Sequence, residues 1–265
     1  MKSVELFLAL GLATAIGVTG TVSVNANGYE VASDEPVDAN SYLLAEGGEG
    51  GEGGEGGEGG AGGTSSEGGE GGETLSPGEQ ANADFLDKIS SSELLSELQQ
   101  GGYVIYFRHA QTEKDYADQV TADVNNCSTQ RVLSEEGWEQ ANMIGDAFEA
   151  AEIPIGKVTT SEYCRAWKTA GLAFGQYEKD PALNFLPFED YTDEQVEQMK
   201  TSVTPLLTAV PESGTNDIIV GHDDIFESAT GIYPAPQGMA YVVKPDGNGG
   251  FELIANMLPE EWAEL

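Results

Sequence analysis

The chain has 265 residues, with 46 Asp plus Glu against 11 Lys plus Arg and a formal net charge of −35. A surface of that sign repels nucleic acid and anionic lipid, so no nucleic-acid partner is expected, and an anionic substrate would need a local basic pocket. Gly contributes 35 residues, 16 of them between Glu46 and Glu73 beside eight Glu. That leaves about 190 residues for folding, enough for one well-buried core and too few for two ordinary domains.

At the N-terminus Lys2 precedes an apolar run, Leu6 to Val18, broken only by Thr14, and Val24-Asn25-Ala26 offers small residues for a signal peptidase. This predicts a signal peptide over 1–26, cleavage before Asn27 and export to the periplasm or beyond the cell. Cleavage would leave no stable membrane insertion. The same stretch is also long enough for a retained N-terminal membrane anchor, the alternative, and an ordinary buried helix is a third reading. Residues 27–78 read as a disordered Gly/Glu-rich tether, since ordering glycine costs backbone entropy and the glutamates repel one another. The folded domain is expected over 79–265.

Within it, Phe85, Ile89, Leu94, Leu95 and Leu98 recur at helical spacing across Ala81 to Gln100, and Ser90 to Ser92 divides them into two short helices. Tyr103 to Phe107 is an apolar run suited to a buried parallel strand. Ser134 caps a helix whose apolar face is Trp138, Ala141, Ile144, Phe148 and Ala151, ended by Pro154. A strand at Lys157 to Thr160 and a helix from Arg165 to Phe174 follow. Asp193 to Val210 is helical again, kinked or divided at Pro205. Asp217 to Gly221 is a second buried strand. Met239 to Lys244 and Phe251 to Ala255 flank a Gly-rich turn and predict a hairpin. Strands alternating with helices indicate an α/β layered domain.

The chain uses few cationic groups of the kind that bind phosphate. Its three Arg stand at 108, 131 and 165, and its two His at 109 and 222. Arg108 and His109 directly follow one predicted strand, His222 follows another, and Arg165 opens a helix. In α/β sheets, ligands gather beyond the carboxyl ends of the strands. Two guanidiniums beside two imidazoles make a small cationic pocket, and the Arg fork matches phosphate oxygens. A neutral imidazole can attack phosphorus while fixed guanidiniums stabilise the charge in transfer. Such chemistry calls for no metal and no cofactor, and implies a small phosphomonoester as substrate.

The segment Phe107-Arg108-His109-Ala110-Gln111-Thr112-Glu113 resembles the signature of the histidine phosphatase superfamily, also called phosphoglycerate mutase-like, here as an exported bacterial member. The likeness continues through Gln130-Arg131-Val132-Leu133-Ser134-Glu135-Glu136-Gly137, Ser161-Glu162-Tyr163-Cys164-Arg165-Ala166-Trp167-Lys168-Thr169-Ala170 and Val220-Gly221-His222-Asp223. The resemblance implies a three-layer fold, a mostly parallel sheet with helices on both faces. It further implies a metal-independent, acid-type phosphatase with His109 as the nucleophile and Arg108, Arg165 and His222 holding the phosphoryl group. Asp223 is the general acid by its place after the second histidine, with Glu189 as the alternative. Thr112 and Arg131 are supporting candidates. If His109 and Asp223 keep ordinary pKa values, a mildly acidic optimum follows. Ala110 departs from the usual Gly, which would bring strain if the turn needed a positive φ.

Cys127 and Cys164 are the only cysteines. Export would allow a disulfide between them, and two buried free thiols are the other reading. Two further functions stand beside the phosphatase. A catalytically weak or inactive phosphatase-fold binding protein on a tether would suit Ala110 and the Gly/Glu tract. A phosphoglycerate mutase-like phosphotransferase would share the phosphohistidine but conflicts with export.

Overall fold

The first helix of the computed structural model, α1, opens at Pro77, four residues ahead of the apolar periodicity at Ala81 and just inside the expected end of the tether at 78. The reason is a capping box: the Ser76 hydroxyl accepts the Glu79 N–H at 3.2 Å, and the Glu79 carboxylate accepts the Ser76 N–H at 2.8 Å. The structure describes residues 75–113, 117–119, 122–186 and 191–265. The expected signal peptide and nearly all of the expected tether lie outside them.

Helices α1 (Pro77–Ala83) and α2 (Ser91–Gln100) are separate, as the serine interruption predicts, and Ser90 caps the second. Strand β1 is Val104–Arg108, α3 Glu135–Ala150 with Ser134 as its cap, β2 Ile155–Thr160, and α4 Cys164–Phe174. A two-residue strand, β3 (Glu178–Lys179), precedes α5 (Asp193–Leu207). Pro205 neither divides nor stops α5 at its own position; the helix ends two residues later, short of the expected Val210, with Thr208 as its C-cap. Strand β4 (Asn216–Gly221) leads directly into α6 (Asp223–Thr230), and β5 (Ala240–Pro245) and β6 (Phe251–Met257) form the hairpin. Its turn is held by the Asp246 carboxylate, which accepts the Asn248 and Gly250 N–H groups at 2.7 and 2.9 Å.

The six strands form one mixed sheet in the order β3-β2-β4-β1-β5-β6. Pairs β3–β2, β2–β4 and β4–β1 are parallel, and β5 runs antiparallel to both β1 and β6. Alternation along β1 sorts the core into two. Ile105 and Phe107 pack with Leu98, Ile144, Phe148 and Trp262 on one face, while Val104 and Tyr106 pack with Met199, Val203 and Phe226 on the other. Helices α2, α3 and α4 thus cover the first face, and α5 and α6 the second. The result is the three-layer arrangement, with the carboxyl ends of β2, β4 and β1 side by side.

The disulfide joins Cys127 to Cys164, with the Cα atoms 5.6 Å apart. Closing a loop of this length restricts the unfolded chain by about 4 kcal/mol in the chain-entropy account. It ties the short helical turn Cys127–Thr129 to the first residue of α4, where the Gln130 side-chain carbonyl also accepts the Cys164 N–H at 2.7 Å. Among the described residues no helix is long and apolar enough to cross a membrane.

Candidate active site

Neighbouring strand ends bring the rare residues together. His109 follows β1, its N–H donating to the Gly221 carbonyl at 3.0 Å, and His222 follows β4; their ring centroids are 5.4 Å apart. Tyr106 fixes the second position by crossing from β1 to bracket the His222 peptide. Its hydroxyl donates to the His222 carbonyl at 2.8 Å and accepts the His222 N–H at 3.0 Å. Gly221 is required for this crossing, because a Cβ there would meet the Tyr106 hydroxyl at 2.2 Å. Similarly, a Cβ on Gly137 would stand 1.9 Å from the Gln111 carbonyl oxygen, so glycine lets α3 dock against the turn after His109.

The hydrogen bonds assign both ring tautomers. His109 Nδ1 lies 2.8 Å from the Ala110 carbonyl, which can only accept, so Nδ1 carries the proton and Nε2 the lone pair. Arg165 Nε donates to that Nε2 at 3.1 Å. For His222 the assignment runs through Asn184. The Glu162 N–H and carboxylate orient the Asn184 amide, leaving its oxygen to accept the Ser161 hydroxyl at 2.8 Å. Ser161, its own proton thus engaged, accepts from His222 Nε2 at 2.9 Å. His222 Nδ1 is then the bare nitrogen, and it is buried without a partner.

Each of two arginines is held by a carboxylate. Arg108 contacts Asp223 directly, donates to the Pro234 carbonyl at 2.9 Å and lies over the Tyr233 ring. Tyr233 in turn donates its hydroxyl to Asp223 Oδ2 at 2.7 Å, and burial, with Asp223 adding to it, pushes that phenol up to about 12. Arg165 donates to Asp118 Oδ1 at 3.0 Å and lies against the rings of Tyr163 and Phe185, which pack on each other with centroids 4.4 Å apart. Asp223 is the first residue of α6. Next to it, burial raises the Asp224 carboxyl, the Asp223 charge adding to the effect. An open pocket of about 310 Å³ is lined by Asp118, Arg131, Arg165, Phe185, Asp223 and Tyr233 among others. A larger groove of about 750 Å³, beside Leu95, Met143 and Trp262, contains none of these groups.

Thr112, like Arg108, His109 and His222, is buried and is not among the residues that line the pocket; its N–H and hydroxyl meet the Gln237 side-chain carbonyl at 2.9 and 3.3 Å, supporting the loop. Trp167 stacks on Tyr177, also away from the pocket. Glu189 lies outside the described residues. Ala110 is buried against Leu133 and Ala141, and Glu152 is the one non-glycine described residue with positive φ. Alanine here therefore carries no left-handed strain. Asp118, Ser161 as a hydrogen-bond partner, Asn184 and Tyr233 were not singled out from the sequence, since their partners lie far away along the chain.

Burial, followed by the Arg165 charge, holds the His109 imidazole well below its usual range; burial and the same charge do so for His222. This removes the premise of an ordinary histidine behind the mildly acidic optimum. A lowered pKa means the neutral ring persists to lower pH, so His109 keeps its lone pair below pH 6.5 instead of being half protonated there. With two histidines in the chain, both ring signals can be followed by NMR. Both midpoints are expected below 6.5, and a midpoint at or above it for either ring would contradict the burial argument.

The family model described as histidine phosphatase superfamily (branch 1) matches residues 104–221. The match runs from β1 to the end of β4, and His222 and Asp223 follow it immediately. No curated protein sequence matches the chain. Similar solved structures include the protein histidine phosphatase SixA complexed with tungstate, at 16% identity and a TM-score of 0.45, covering 60% of this chain and 98% of that one. Phosphoserine phosphatase from Entamoeba histolytica in complex with 3-phosphoglyceric acid is 15% identical, with a TM-score of 0.42 and coverage of 58% and 95%. Bacillus stearothermophilus YhfR is 18% identical, with a TM-score of 0.39 and coverage of 57% and 94%.

Proposed function

We propose that the protein is an exported phosphatase that hydrolyses small phosphomonoesters through a phosphohistidine on His109, without a metal. One observation carries this reading: His109 Nε2 is proton-free and lies 3.1 Å from the Arg165 guanidinium, inside a superfamily segment whose members include phosphatases. The disulfide is compatible with an oxidising compartment.

In this mechanism the substrate exchanges partners with the resting site. Its phosphoryl oxygens take Arg108 from Asp223 and Arg165 from both Asp118 and His109, so charge-assisted hydrogen bonds are replaced rather than lost. The freed Nε2 lone pair attacks phosphorus in line. His222 can donate to the phosphoryl group without gaining a proton by exchanging tautomer: the neutral ring then carries its one proton on Nδ1, and Nε2 accepts the Ser161 hydroxyl that now faces Asn184. Asp223, released from Arg108, takes the proton that a monoanionic ester brings in and gives it to the departing alkoxide. As a carboxylate it then activates water, which releases phosphate from His109.

The test is to trap the intermediate. Rapid quench during turnover of a 32P-labelled monoester, with EDTA present, is expected to leave a protein-bound label stable in alkali and lost in acid. Turnover with no such label, or turnover abolished by EDTA, would overturn the reading.

A further inference from the structure

The phosphatase reading leaves Arg131 without a task, and the role assigned to it below rests on that reading. Arg131 is half-buried and lines the same pocket as Arg165, Asp118 and Asp223. The other two guanidiniums have carboxylate partners: Arg108 holds Asp223, and Arg165 holds Asp118. Among the described residues Arg131 forms no ion pair, and its Nε is buried with no hydrogen-bond partner.

Its backbone, by contrast, is tightly placed. The Arg131 N–H donates to Asp118 Oδ1 at 2.7 Å, the same oxygen that accepts Arg165 at 3.0 Å. Arg131 thus stands one carboxylate away from the phosphoryl clamp, close enough that its charge acts on both imidazoles and on Arg165. The pocket's carboxylates do not satisfy it. Asp118 and Asp223 are engaged as described, and Asp224 accepts the Tyr191 hydroxyl at 3.1 Å. In a chain of net charge −35, a guanidinium on a pocket wall that pairs with no carboxylate among the described residues is an open anion position. A buried donor without an acceptor is costly, and a ligand anion would remove that cost.

We propose that Arg131 binds a second anionic group of the substrate, so that the preferred esters are phosphomonoesters carrying a further phosphate or carboxylate a few bonds from the ester oxygen. A pocket of about 310 Å³ is of the size that holds such a small molecule.

The test compares three esters of equal chain length: 3-hydroxypropyl phosphate, 2-carboxyethyl phosphate and 1,3-propanediol bisphosphate. The parent protein should favour at least one anionic ester over the hydroxypropyl ester by about tenfold in kcat/KM, the scale of a charged hydrogen bond. Which of the two is favoured tells a carboxylate from a phosphate site. Arg131→Gln should bring the ratio close to one, and Arg131→Lys should retain part of it. A parent ratio near one, or a ratio unchanged in Arg131→Gln, overturns the proposal. If the parent turns over none of the esters, the phosphatase reading fails instead. Calorimetric Kd ratios for the same compounds then decide the role of Arg131: a preference for an anionic ester that Arg131→Gln removes supports it, and a preference that is absent or survives the substitution overturns it.

Discussion

Replacing His109 with alanine is expected to lower kcat for any turned-over monoester by about 10⁴-fold or more, the scale of losing a covalent nucleophile. The size follows from the site's economy of nitrogens. His109 Nδ1 is committed to the Ala110 carbonyl, and the lone pair of His222 belongs to a ring whose other nitrogen is anchored on Ser161. Only Nε2 of His109 lies against Arg165 with a lone pair ready to form a bond. The guanidiniums survive in the variant, so inorganic phosphate should still bind while the trapped label disappears. A variant within tenfold of the parent would show that phosphorus is attacked by something else, such as water, and the superfamily fold would then carry a different reaction.

The sequence made the placement of the proposed clamp residues readable but not the groups that hold them. Val104–Arg108 and Asn216–Gly221 are legible because parallel strands buried on both faces give unbroken apolar runs, and the residues after such strands are where ligands collect. Helix α6 was missed although its signals are present. It has Asp223 and Asp224 in the first turn, Ile225 and Phe226 buried, and Gly231 at φ 74 as its C-cap. Asp223 is read from the motif at His222, and no element is assigned to the residues beyond it. Asp118 is a harder case. Its partner Arg165 is 47 residues away, and nothing local distinguishes it from the other 45 acidic residues. The tautomer of His222 is harder still, since it depends on a relay from Glu162 through Asn184 to Ser161 that only the folded chain assembles.

Arg165 carries the second large effect, and two substitutions separate its charge from its shape. Its Nε meets His109, its Nη1 meets Asp118, and its guanidinium carbon lies 5.1 Å from the ring centroids of both Tyr163 and Phe185, which pack side by side against it. Lysine keeps the charge but is a point donor without the planar fork, so it cannot address two phosphoryl oxygens in one fixed geometry. Arg165→Lys should therefore lower kcat by about 10²- to 10³-fold, the range for losing a positioned donor to transition-state charge. Arg165→Ala should lose more, and should also leave Asp118 facing the pocket without its cation. The histidine signals distinguish the two. The Arg165 charge is the second largest cause, after burial, of the lowered His109 pKa. Removing it favours the imidazolium, so the His109 midpoint must rise in Arg165→Ala and stay lower in Arg165→Lys. If both variants lose activity equally and neither moves that midpoint, Arg165 acts only by packing against the two rings, and the proposed clamp loses one of its two arms.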